Sequence, residues 1–169
     1  MAHVWREFQA GSAANVEGLA ALIEENTGRQ WPDALPEGQA VALDGRMLPH
    51  EWLETAAGYV KTDALDHHDD HFFPGPQDIA WDVAAFEIEC GGGAYFRERY
   101  ERESGDRDLA ARLPFYRAAY LAFRAGYCDM AAQALGGMPD AARFRRARAR
   151  YEKLISSEPW MTKISRSSA

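Results

Sequence analysis

The sequence predicts a mainly α fold with one small β-hairpin set inside it. Apolar residues recur at helical spacing in several segments, the longest running from Leu109 to Met130. Only two segments alternate like strands. A stretch rich in Asp, His, Pro and Gly, from Asp44 to Asp82, interrupts the helical pattern once. A chain of 169 residues gives one domain by default and is long enough to bury a core. At 47% hydrophobic residues it is not a disordered chain.

Val16, Leu19, Leu22 and Ile23 share one face of a helix expected from Ser12 to Asn26, with Ser12 as cap and Gly28 as terminator. Pro32 and Pro36 place residues 30–38 in a loop, and Gln39 to Leu43 is a short apolar run. Arg46 to Glu54 and Gly58 to Leu65 read as strands joined near Ala56 and Ala57. Residues 66–77 cannot form a regular element. Asp78 caps a helix to about Glu89 with Ile79, Val83 and Phe86 inward, and the run Gly91-Gly92-Gly93 breaks it before a further helix over 94–103.

Leu109, Leu113, Tyr116, Tyr120, Phe123, Tyr127 and Met130 form a seam along one long helix, which Pro114 either kinks or starts. A last helix from Pro139 to Ser156 buries Phe144, Ala147, Tyr151, Leu154 and Ile155. Its arginines, from Arg143 to Arg150, read as a solvated face. Residues 1–158 make the folded lobe and 159–169 a polar tail.

The net charge of -7 argues against nucleic acid as a partner. Cys90 and Cys128 have no metal or redox spacing; both are expected in the core of a protein from reducing cytosol. No signal segment is seen at the N-terminus and no stretch is apolar enough to span a membrane, so a cytoplasmic location is expected.

Three pieces of the central stretch carry chemistry: Asp44 to Trp52, Lys61 to His71, and Gln77 to Ala84. Phosphoryl transfer needs a carboxylate to orient the acceptor hydroxyl and hard oxygen ligands to hold magnesium against nucleotide phosphates. Asp44 precedes the first strand, and Asp63 and Asp66 end the second, so a hairpin brings these ends together. Strands pair at about 4.8 Å, and the three carboxylates are expected to converge, with His50 or Glu51 on the same rim.

Asp78-Ile79-Ala80-Trp81-Asp82-Val83-Ala84, with Phe96, Tyr100, Gly105 and Leu113-Pro114-Phe115-Tyr116 through Phe123-Arg124, resembles the C-terminal lobe of the aminoglycoside phosphotransferase and choline kinase family, a protein-kinase-like fold. The resemblance spans about residues 12 to 155. It implies an ATP-dependent small-molecule kinase domain, with Asp44 as catalytic-loop Asp, Asp63 or Asp66 as magnesium ligand, and Asp82 as a structural brace on the catalytic loop through backbone N–H groups. His50 or Glu51 stands near the place of the family's metal-ligating Asn.

The departures from the family pattern are specific. Ala42 replaces the His two residues before the catalytic Asp, and the Asn ligand is absent. The sequence shows no glycine-rich loop or phosphate-pairing Lys, and Lys61 lies on the wrong element for that role. ATP is therefore expected to bind only if a nucleotide-binding lobe is supplied, and the domain is read as a fragment or a degenerate, pseudokinase-like form.

Two other readings compete: a non-catalytic kinase-like domain that binds a partner or small molecule, and a small metal-dependent hydrolase. The segment Asp66-His67-His68-Asp69-Asp70-His71 offers imidazole and carboxylate to zinc, manganese or iron, or forms a solvated acidic loop. Phe72-Phe73 reads as an anchor for it, and Trp52 and Trp81 read as core.

Overall fold

The computed structural model describes residues 13–41, 43–62, 77–91 and 93–164. It is mainly helical with a two-stranded antiparallel sheet. The elements are α1 (Val16–Thr27), β1 (Trp52–Thr55), β2 (Gly58–Lys61), α2 (Ala80–Cys90), α3 (Gly93–Ser104), α4 (Leu109–Leu135), α5 (Ala141–Ser157) and α6 (Pro159–Ile164). A 3-10 turn, Pro49–Glu51, leads into β1. The chain divides into two compact units: residues 1–18 with 36–117, and residues 19–35 with 118–169.

In the first unit, Ala13 bridges Gln39 and the Ala14 N–H donates to the Gly38 carbonyl, which holds this segment extended. Helix α1 therefore begins at Val16, later than expected, with Asn15 Oδ1 accepting the Gly18 N–H at 2.9 Å as its cap. Ser12, the expected cap, lies outside the described residues.

The apolar run after Gly38 pairs through Val41 with Gln77, and Leu43 is buried. Gly38 sits where a side chain would not fit: a Cβ there would lie 2.7 Å from the Tyr116 hydroxyl and 3.0 Å from Ala14 Cβ. Asp78 caps α2, its Oδ1 accepting the Ala80 N–H at 2.8 Å. Its carboxylate also takes the Gln39 N–H and Arg112, which reaches on to Asp106 at 2.6 Å. These bonds tie the apolar run, the start of α2 and the start of α4 together. Trp81, Val83, Leu109 and Tyr116 are fully buried in the core of this unit.

The hairpin is shorter than the alternation suggests. Residues 46–48 are irregular, and Pro49, which lacks a ladder donor, starts the 3-10 turn instead of continuing a strand. The two-residue turn at Ala56 and Ala57 sets the register Thr55↔Gly58, Leu53↔Val60 and Trp52↔Lys61. Trp52 is half-buried and meets Phe86 edge-on at 5.7 Å, and Phe86 packs on Phe96 at 4.7 Å.

Helix α4 begins at Leu109 with Pro114 inside it, so that proline does not mark its start. Leu109, Leu113, Tyr116 and Tyr120 are buried as the seam requires. Met130, at its far end, is exposed, while Phe115, Ala118, Ala119, Leu121 and Ala122 are buried as well. The middle of the helix is covered on more than one face, which small alanines permit.

In the second unit, α5 presents Tyr151 and Ile155 inward. Phe144, Ala147 and Leu154, expected inward too, are half-buried. Arg143, Arg145, Arg146 and Arg150 are exposed, and Arg148 pairs with Asp129 and Glu152. Residues beyond Glu158, expected as a polar tail, open with the short helix α6, whose Trp160 is buried and lies 5.8 Å from Trp31. One large apolar ring is enough to dock this segment. Cys128 is buried, but Cys90, at the last turn of α2, is exposed rather than in the core.

Candidate functional site

Asp44, Glu51 and Asp82 come together below the hairpin, and all three are buried. Their placement starts from Gly45, whose φ of 80° lies in the left-handed region that favours glycine. That conformation sets the direction of the Gly45 carbonyl and of the Arg46 N–H that follow it. Asp82 Oδ2 accepts the Asp44 N–H and Asp82 Oδ1 the Gly45 N–H, each at 2.9 Å. The Gly45 carbonyl accepts the Trp81 indole N–H at 3.1 Å. Asp82 sits in the first turn of α2, so helix and loop are fixed to each other by adjacent residues.

The Asp44 side chain then closes a local turn, with Oδ1 accepting the Arg46 N–H at 3.1 Å. Its other oxygen, Oδ2, lies 2.8 Å from Lys61 Nζ. Lys61 ends β2, and the register puts it opposite Trp52, next to Glu51. The ammonium is 3.3 Å from Glu51 Oε2, an ion pair without an aligned hydrogen bond. Glu51 Oε1 is 3.6 Å from Arg46 Nε. The Glu51 carbonyl accepts both the N–H and the hydroxyl of Thr62, which clamps the base of the hairpin.

His50 is exposed, with Nε2 4.0 Å from Glu51 Oε1, so it stands at the rim rather than among the buried groups. Asp63, Asp66, the His67–His71 segment, Phe72 and Phe73 lie outside the described residues, as does Ala42. Of the expected convergence, Asp44 and Glu51 are seen to share a cation, and that cation is Lys61. Lys61 was not expected here. The two-residue turn alone fixes its register, and counting back from Thr55↔Gly58 would have found it.

Burial pushes the Asp82 carboxyl up to about 7, against the Asp44 and Gly45 N–H donors, which pull it down; the charge of Asp44 raises it further and that of Lys61 lowers it. Among the described residues, no group of three His, Cys, Asp or Glu side chains is placed to hold a metal ion. No described helix is long and apolar enough to cross a membrane. Comparison with protein-family models, curated proteins and solved structures finds no match.

Proposed function

We propose that this chain is a phosphotransferase-like domain of the small-molecule kinase type, with Asp44 as the carboxylate that orients the acceptor hydroxyl. The observation that supports the reading is the grip of Asp82 on two successive backbone N–H groups, those of Asp44 and Gly45. It fixes an Asp-bearing loop at the base of a hairpin, the role that the family resemblance gives Asp82. In transfer, the Asp44 carboxylate would take the hydroxyl proton as the acceptor oxygen bonds to the γ-phosphorus and ADP leaves. Magnesium, which would neutralise phosphate charge, does not fit Asp44 and Glu51, because their oxygens already face cations or an N–H donor. In this reading its ligand is Asp63 or Asp66.

A second reading, a non-catalytic binding domain of kinase-like fold, is favoured by the same ion pair: Asp44 Oδ2 is held by Lys61. Titration with hydroxyl-bearing small molecules, aminoglycosides and choline among them, with and without ATP and magnesium, tests both readings. The chain alone is expected to bind an acceptor, more weakly by tenfold or more in Asp44→Asn, and to form no ADP. Acceptor-dependent ADP formation lost in Asp44→Asn would make it a complete enzyme. Binding that ignores Asp44→Asn would leave the second reading, and no binding of any acceptor would end the first.

A further inference from the structure

Four carboxylate oxygens lie below the hairpin on Asp44 and Glu51, and each faces a donor or a cation. Asp44 Oδ1 takes the Arg46 N–H, and Asp44 Oδ2 takes Lys61 Nζ at 2.8 Å. Glu51 Oε2 faces Lys61 Nζ at 3.3 Å and Glu51 Oε1 faces Arg46 Nε at 3.6 Å. Among the described residues, Lys61 and Arg46 face these two acidic side chains. Lys61 is only 11% exposed and its carboxylates are 9% and 6% exposed, so these charges are poorly screened by water and salt. A divalent ion entering between Asp44 and Glu51 would meet an ammonium already there, and displacing it would bury an unpaired lysine charge.

We infer that Lys61 is the resident cation of this loop, standing where a metal would otherwise bridge Asp44 and Glu51, so that neither carboxylate is a metal ligand. The inference goes beyond the transfer chemistry proposed above, and its test contains no nucleotide or acceptor, so either can fail alone. The carboxylates are preorganised by a covalent part of the chain. Their geometry does not depend on the metal content of the solution, and removing the ammonium uncovers a latent divalent site.

Manganese binding to the full chain, followed by electron paramagnetic resonance of the free ion, tests this. Whatever affinity the wild type has, Asp44→Asn and Glu51→Gln should leave it within twofold. Lys61→Met should gain tenfold or more, and the double variant Lys61→Met/Asp44→Asn should lose that gain. Manganese should also raise the melting temperature of Lys61→Met more than that of the wild type. A tenfold loss of manganese affinity in Asp44→Asn or Glu51→Gln would overturn the inference, as would a folded Lys61→Met that gains nothing. Should Lys61→Met not fold, the two carboxylate variants decide the question by themselves.

Discussion

Replacing Asp82 by alanine removes the acceptor for two backbone N–H groups at once. The Asp44 N–H bond is buried, and that of Gly45 is partly buried. A buried donor left unpaired costs about 1–3 kcal/mol. With the second donor discounted for its exposure, the loss is about 2–4 kcal/mol near pH 5.

The cost should depend on pH in a defined direction. The carboxyl titrates at about 7 in the folded chain, against 3.8 as its ordinary value. Between those values the folded state holds a proton that the unfolded state has released, so the wild type loses stability as pH rises. Three pKa units correspond to about 4 kcal/mol at most, a contribution present below about pH 4 and gone above about pH 7. Alanine has no such proton, so the penalty of Asp82→Ala should shrink from pH 5 to pH 8.

Urea unfolding of both proteins at the two pH values, compared as a difference, cancels most of the other titrating groups. An unchanged midpoint at pH 5 would refute the bracing role of Asp82. A penalty that grows toward pH 8 would show that the N–H donors outweigh burial.

Three other substitutions probe the scaffold. Gly38→Ala should destabilise by about 1–3 kcal/mol, because its Cβ would meet the Tyr116 hydroxyl at 2.7 Å; a thermal midpoint equal to wild type would refute that approach. Arg112→Met should cost about 3 kcal/mol in urea unfolding, since it leaves Asp78 and Asp106 without their shared cation. Arg112 also holds the Asp106 carboxyl below its ordinary value. The stability that the wild type loses on acidification below that value should therefore be smaller in the variant's profile. Trp160→Ala should cost about 3–5 kcal/mol by chemical denaturation, and a cost under about 0.5 kcal/mol, the range of ordinary surface changes, would return α6 to the status of a tail.

The helices were legible because apolar residues on α4 and α2 repeat at the helical period, and Asp78 and Gly91 punctuate α2 by side-chain and backbone chemistry. Asp82 was legible as a first-turn acid, and its carboxylate accepts the Asp44 and Gly45 N–H groups. Periodicity could not give the length of the hairpin, because Pro49 and Glu51 divert the chain into a 3-10 turn before β1. Nor could it show the pairing of Lys61 with Asp44 and Glu51, residues distant in sequence that meet through strand register. Asn15 as cap and Gly38 as a close approach depend on the bridge from Ala13 to Gln39, a tertiary event with no local signature.

The hairpin carries Leu53, Tyr59 and Val60 largely in solvent, so among the described residues its outer half rests on no core. Two strands alone are marginal in water. What secures this pair lies at its foot: Trp52 on Phe86, Thr62 on the Glu51 carbonyl, and Lys61 between two acids. Ladder and charge pairing are therefore expected to open together. Amide hydrogen exchange should be fastest at the Ala56–Ala57 tip and slow toward Lys61, and anything that loosens the foot should let the whole ladder exchange together. The same lysine that pairs with Asp44 and Glu51 also ends β2, so the charge pairing and the strand register meet in one residue.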